Sequence, residues 1–390
     1  MAGPVMLPSA YRRRAQSFVK HEVLRAYLER AAMIILSKYP EFVFVDGFSG
    51  PWQNARDDLS DTSFGISLAQ LRAARQAWAD NARSREVRCV FVEKRRAAFD
   101  RLSAASVSEA DVPITPLHGK LEDHIPRILK EVGHSFALFF LDPTGWNYDL
   151  RNLSPLLSHR PGEVLVNFMY EHFRRFIDDK RPEIRGSQDR ALGGPEWRPK
   201  YASLIEQGVP KETAVLEVFK AQLKSVGGYQ HVASARVRHP LAEKTHFHLV
   251  YGTRHEKGLT AFRSVEKKVL SAEGSIRVQA RDAALQEKTG QGTFLDVLGP
   301  PSEAVGSDPR LQDHEHVPVW LQHAVATRPV DYHLLMQAAL ERYSITEPEF
   351  KDQLVAANRE GHIAFEGMPA RSFKPSKGVV IISGKKAGQK

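Results

Sequence analysis

The stretch Phe42-Val43-Phe44-Val45-Asp46-Gly47-Phe48-Ser49-Gly50-Pro51 is a short apolar run that closes on an acid and turns at once through two glycines. Alternating Phe and Val suit a strand buried on both faces, as in a parallel sheet. Gly47 and Gly50 allow a sharp turn and a close approach of backbone to whatever lies above the strand end. Open α/β sheets hold ligands at the carboxyl ends of their strands, which puts Asp46 where a ligand's polar group would lie. Taken alone, the same residues also fit a tight turn with an exposed Asp.

The pattern recurs on either side. Arg88–Glu93 is a second strand closing on an acid, Val112–Leu117 a short third one, and Phe136–Leu141 a fully apolar fourth one followed by Asp142. Glu163–Phe168 follows a Pro161-Gly162 turn as a fifth. Apolar spacing predicts helices over 11–38, 63–79, 95–105 and 120–132, the first carrying Arg12-Arg13-Arg14 and Lys20-His21. Strands alternating with helices imply a parallel sheet with helices on both faces. Asp46, Glu93 and Asp142 would then converge on one edge of that sheet. Ordinary strand ends do not require carboxylates, so this convergence is the main argument for a ligand site.

The remaining chain adds smaller units. Residues 171–230 read as a helical insertion over the strand ends, with a turn-rich interruption from Gly186 to Pro199. His231–Arg238 and Thr245–Thr253 alternate and pair as an antiparallel hairpin, and Gly258–Ser271 is a basic amphipathic helix carrying Arg263, Lys267 and Lys268. The expected organisation is an N-terminal helix in 1–40 and an α/β domain over 41–275. A linker over 276–328 joins it to a small unit over 329–384, with a disordered tail at 385–390. In the small unit, a helix over Val330–Tyr343, a capping box at Thr346-Glu347-Pro348-Glu349 and a basic hairpin with Arg371, Lys374 and Lys377 match a winged helix.

At 390 residues the chain is long enough for more than one domain. Its 42% hydrophobic and 26% charged content is that of an ordinary globular protein. No apolar run approaches the roughly 20 residues that span a bilayer, and the N-terminus lacks a signal-like apolar stretch, so a cytoplasmic protein without membrane contact is expected. The single cysteine, Cys89, excludes an internal disulfide and Cys-based zinc or iron–sulfur sites. The 16 histidines show no metal spacing, and His246 and His248 on one strand do not make a site, so no metal is expected. A net charge of +9 and a pI near 9.5 point towards a polyanionic partner.

An acid after the second strand of a doubly wound sheet suits the two hydroxyls of a ribose, a role for Glu93. The first turn is not G-x-G-x-x-G, and the chain has no G-x-x-x-x-G-K-[ST] loop, so a cofactor with a nucleoside and an amino-acid end but no phosphate matches better: S-adenosylmethionine. Four segments together resemble the three-Cys-motif partner proteins: Asp46-Gly47-Phe48-Ser49-Gly50-Pro51, Phe91-Val92-Glu93-Lys94, Leu141-Asp142-Pro143-Thr144-Gly145-Trp146 and Tyr251-Gly252-Thr253-Arg254-His255-Glu256-Lys257-Gly258. The Lys20-His21 helix adds to the resemblance, which runs from about residue 15 to 270 and more loosely through the small C-terminal unit.

The resemblance implies a Rossmann-like, S-adenosylmethionine-dependent methyltransferase fold and a separate three-Cys-motif protein as partner. It implies cofactor binding by Asp46, Gly47, Phe48, Ser49, Gly50 and Glu93, and substrate contacts from Lys20, His21, Arg254 and Lys257. Asp142, Pro143 and Trp146 would form the catalytic set, because Asp142-Pro143-Thr144-Gly145-Trp146 is similar to the Asp-Pro-Pro-aromatic signature of enzymes that methylate exocyclic amines of bases. The aromatic lies one residue later than in that signature. Gly119-Lys120 also stands where many relatives of the fold carry Gly-Asp, which leaves adenine recognition either to Glu122 or Asp123 or absent. The function expected is methyl transfer to nucleic acid, DNA or RNA. The alternative is a non-catalytic nucleic-acid-binding or scaffolding protein that kept the fold. A magnesium nuclease would need a compact acidic cluster, and the sequence shows none.

Overall fold

The computed structural model describes residues 6–12, 14–50, 59–109, 111–289 and 308–384. Among them, seven strands form one sheet in the order β3-β2-β1-β4-β5-β7-β6. They are β1 (Glu41–Asp46), β2 (Glu86–Glu93), β3 (Ile114–His118), β4 (Phe136–Leu141), β5 (Gly162–Phe168), β6 (His231–Arg238) and β7 (Thr245–Thr253). β7 runs antiparallel to β5 and β6, and the pairs among β1 to β5 are parallel. This is the expected α/β architecture, a mostly parallel sheet consistent with a Rossmann-like methyltransferase fold.

Helices cover both faces: α1 (Ala15–Lys38), α2 (Ser63–Ala79), α3 (Arg96–Ser108), α4 (Ile125–Val132), α5 (Ser154–Leu157), α6 (Tyr170–Phe176), α7 (Pro182–Ala191) and α8 (Trp197–Glu206). After these come α9 (Lys211–Gly227), α10 (Glu256–Leu270) and α11 (Glu273–Thr289). The alternation of β1 decides the layering. Phe42 and Phe44 enter the apolar cluster formed with α1, α2 and α10, whereas Val43 and Val45 enter the cluster formed with α4, α5 and α9. A strand whose side chains are buried on both faces must lie inside the sheet.

The direction of α1 matters for the site. It ends at Lys38, just before β1 begins at Glu41, so it returns along the sheet and its start overhangs the carboxyl edge. At about 1.5 Å per residue a helix of this length is longer than β1, which carries Lys20 to the strand ends. β7 runs the other way, with Gly252 beside Val164 near the start of β5. Arg254 therefore emerges at the amino edge.

The insertion is helical, as expected, but its interruption is much shorter. Gly186 lies inside α7, and Trp197 and Pro199 inside α8, with only Leu192–Glu196 between the two helices. The linker expected over 276–328 needs a larger correction. α11 continues to Thr289 because Ile276 and Ala280 are buried against the main core, and Leu311–Val325 forms a further helix, α12, with Val317, Leu321 and Val325 buried. α11 is mostly polar and α12 carries Pro318 in its interior, which hid their periodicity. The middle of that linker and the tail at 385–390 lie outside the described residues.

The C-terminal unit consists of α12, β8 (Val330–Asp331), α13 (Tyr332–Arg342), α14 (Glu347–Arg359), β9 (Ile363–Glu366) and β10 (Val380–Ser383), with strand order β8-β10-β9. The Thr346–Glu349 capping box starts α14 as expected.

This unit is fastened to the sheet by α10. Arg263, 1% exposed, donates to the carbonyls of Leu340 at 2.7 Å and Ser234 at 2.9 Å and pairs with Glu266 at 2.5 Å. Ser344 donates to Glu266 at 2.7 Å. The basic helix expected here is only partly available to a partner: Arg263 is buried, Lys267 pairs with Glu349 at 2.8 Å, and Lys268 is exposed, 3.7 Å from Glu29. Replacing Glu266 by Ala leaves a buried guanidinium without its counter-charge, a change that typically costs about 3–5 kcal/mol. The expected outcome for Glu266→Ala is a lower urea midpoint, with the loss of stability measured by equilibrium unfolding.

Candidate functional site

The carboxyl edge of β1, β2 and β4 opens into a cleft of about 770 Å³. Gly47, Phe48 and Gly50 from the first turn, Glu93 from β2, and Asp142, Pro143 and Trp146 from the end of β4 line it together. Glu122 and Asp123 line it after β3, and Ser187 and Arg190 of α7 reach it from the insertion.

Asp46 lies beneath this surface, fully buried. It accepts the Phe48 amide at 2.9 Å on one oxygen and the Ser63 hydroxyl at 2.6 Å on the other. The turn is also tied to both neighbouring strands, with the Gly47 amide on the Phe140 carbonyl at 3.0 Å and the Ser49 amide on the Val92 carbonyl at 2.9 Å. Ser49 itself is buried. Burial pushes the Asp46 carboxyl up to about 7, against the hydrogen bonds from Ser63 and Phe48 and with the Asp142 charge adding to the rise.

The two glycines of the turn are present for space. Neither has a left-handed backbone. A Cβ at Gly47 would come within 2.8 Å of Leu121 and 3.0 Å of Leu141, and one at Gly50 would overlap the Glu93 carboxylate. Glu93 is 5% exposed and is oriented by the Arg95 amide, which donates to it at 2.7 Å.

Asp142 receives two donors. Lys20 of α1 bonds one oxygen, and the Asn167 amide donates to the other at 2.6 Å. Asn167 lies one residue before the end of β5, 3% exposed, and its side-chain amide oxygen is buried without a hydrogen-bond partner. Sequence reading missed Asn167, since a polar residue near a strand end carries no signal until β4 and β5 are paired. Ser63, at the start of α2, was missed because only the fold brings it to Asp46, 17 residues earlier in the chain. Trp146 is half-buried. Gly145, at φ +77°, turns the chain so that the indole packs 4.8 Å from the Phe173 ring and 6.1 Å from the His172 ring.

Three expected substrate contacts are not brought to the cleft. His21 is buried in α1, with its ring nitrogen 2.8 Å from the Tyr11 hydroxyl, and burial together with Lys20 holds it well below the usual imidazole range. Arg254 lies at the amino edge, donating to the carbonyls of Leu157, His159, Gly162 and Gly227. Its guanidinium sits 4.4 Å from the centre of the Tyr229 ring. Lys257 is exposed in the first turn of α10, which follows Arg254 at that same edge.

Among the described residues, Glu171, His239 and His246 bring ligand-capable atoms within 4.8 Å of one another. Burial alone would raise the Glu171 carboxyl, but bonds from Lys244, His246 and Arg175 bring it down to about 2. The lysine and arginine already facing this carboxylate oppose a further cation there.

No family model and no curated protein matches the chain. Among solved structures, a loganic acid methyltransferase with SAH aligns over 73% of this chain and 92% of its own, at 8% identity and a TM-score of 0.30. A likeness of that size adds nothing to what the strand order shows. No described helix is long and apolar enough to cross a membrane.

Two outcomes follow from this geometry. Asp46 ionises near pH 4 in the unfolded chain and near 7 in the folded one, so the folded state binds the extra proton between those values and stability falls as pH rises through them. Asp46→Asn removes that slope, as urea unfolding across the same range would read. Arg254→Ala leaves four carbonyls without their donor and lowers stability by about 3 kcal/mol or more, without changing ligand affinity in the cleft of the folded protein. Calorimetry on the folded fraction checks the second part.

Proposed function

We propose that this protein is an S-adenosylmethionine-dependent methyltransferase that acts on nucleic acid, at an exocyclic amine of a base, together with a three-Cys-motif partner protein. The observation that carries this reading is the single cleft in which the Gly47–Gly50 turn, Glu93 and the Asp142-Pro143 strand end meet. The residues fit the cofactor chemically. Glu93 offers a carboxylate for two ribose hydroxyls, Gly50 leaves no Cβ between the turn and that carboxylate, and Glu122 and Asp123 offer acceptors for an adenine amine. The turn over Asp46 would hold the amino-acid end. The cofactor, when bound, supplies an electrophilic methyl group.

The chain's own part is orientation. Asp142 and the Pro143 carbonyl would accept the N–H groups of the target amine and aim its lone pair, which lowers the barrier by positioning. A carboxylate has about four acceptor sites, so Lys20 and Asn167 do not exhaust Asp142. Lys20 holds that carboxylate in place. The helix–strand–helix–helix–strand–loop–strand order of the C-terminal unit supports reading it as a winged helix, with the β9–β10 loop as its wing.

A second reading is favoured by Trp146. Its ring packs among His172, Phe173 and Phe176, which leaves less of it to stack on a flipped base. On that reading the protein is a scaffold that kept the fold and not the transfer.

Titration calorimetry of S-adenosylmethionine separates the cofactor claim from the rest. The expected result is micromolar binding, weakened at least about tenfold in Glu93→Ala by loss of charge-assisted hydrogen bonds. Equal affinity of the variant and the wild type would sink the cofactor reading. Labelled methyl transfer to DNA or RNA with the partner present, lost in Asp142→Ala, supports the enzyme; binding without transfer selects the scaffold.

A further inference from the structure

We propose that the loop joining β9 and β10 is a nucleobase-stacking element, with Phe373 as the stacking ring and Arg371, Lys374 and Lys377 as its phosphate contacts. The inference rests on the nucleic-acid reading above and assigns a binding surface within it. Phe373 is 88% exposed, more than any other large hydrophobic residue described. That exposure is built by the loop. The Ser372 amide donates to the Pro369 carbonyl at 2.9 Å, and the Ser372 hydroxyl donates to the Lys374 carbonyl at 2.7 Å. Pro375 and Val379 are buried on either side of Lys377 and anchor the loop to the unit. A phenyl ring held out in water by an ordered turn is a standing hydrophobic cost unless a partner covers it.

The charges around the ring indicate the partner. Arg371, Lys374 and Lys377 are exposed, and the sequence from Gly367 to Gly384 contains no acid. Lys374 meets Asp352 of α14 in an exposed pair, which a phosphate can replace at little cost. An aromatic ring interleaved with cations is the pattern of base stacking beside a bound backbone, tolerant of sequence because every base has a π face. An apolar protein pocket would not call for three flanking cations.

α14 is the element a winged helix would ordinarily send into a groove, and it does not offer a basic face. It carries Glu347, Glu349 and Asp352 against Lys351 and Arg359, and Lys351 is already paired with Glu347 at 2.9 Å. Glu349 is already taken by Lys267 and Arg310, and the exposed Asp352 beside Glu347 would lie against the phosphates of a duplex. The loop, not the helix, is the contact.

The test uses the full-length protein and fluorescent oligonucleotides, single-stranded and duplex, titrated at several salt concentrations. The expected result is salt-dependent binding that Phe373→Ala weakens by about 5- to 100-fold and Phe373→Trp retains, the worth of one base–aromatic stack. Replacing Arg371 and Lys377 by Gln should shallow the salt slope by about 1.4 on single strands. Tighter binding of single strands identifies an unpaired base as the partner, and tighter binding of duplex a wedge between base pairs; either supports the assignment. Wild-type binding unchanged in Phe373→Ala overturns it and leaves the nucleic-acid reading standing. No binding of either oligonucleotide overturns both, while the calorimetric cofactor result is unaffected. Phe373 has no packing role, so unchanged thermal unfolding controls for folding.

Discussion

Asp46 closes the central strand with a carboxylate shut away from water, and its two oxygens join the turn at Phe48 to the start of α2 at Ser63. A buried acid without a bonded cation is costly, and it persists where its hydrogen bonds fix something. Here it fixes a loop that touches three strands. With the Gly47 amide on β4 and the Ser49 amide on β2, the turn cannot shift without breaking bonds to either neighbour. The positions of Glu93 and Asp142 relative to Gly50 follow from that clamp.

Much of this was legible beforehand for a definite reason. Strands buried on both faces, such as Phe42–Val45 and Phe136–Leu141, write their burial as uninterrupted apolar runs, and the alternating hairpin at His231–Thr253 could be placed to the residue. The convergence of Asp46, Glu93 and Asp142 followed from parallel pairing alone. What stayed hidden depends on contacts between distant segments. Arg254 and Arg263 read as surface cations, yet each is consumed by backbone carbonyls. Asn167 gains meaning only beside Asp142. α11 buries mostly polar residues and α12 is interrupted by Pro318, which is how a linker was expected in their place.

The net positive charge is not concentrated at the cleft. Its lining sets Lys94, Arg95, Lys120 and Arg190 against Glu93, Glu122, Asp123, Asp142 and Asp149, close to balance. A lining so balanced favours selection by hydrogen bonding and shape over attraction by net charge. Near-neutral lining also suits a cofactor that carries charges of both signs at one end.

The joint made by Arg263, Glu266 and Ser344 has a consequence for inheritance. The C-terminal unit looks like a module that could be shuffled between proteins, with its own small sheet and helices. Yet the main sheet has come to depend on it. Cutting the chain before α12 would strip Leu340 from the Arg263 guanidinium, Ser344 from Glu266 and Glu341 from His231, leaving polar groups that evolved to be dry facing solvent. A descendant that lost this unit would have to re-engineer α10 and β6 first, so the two parts are expected to pass down together rather than be traded separately.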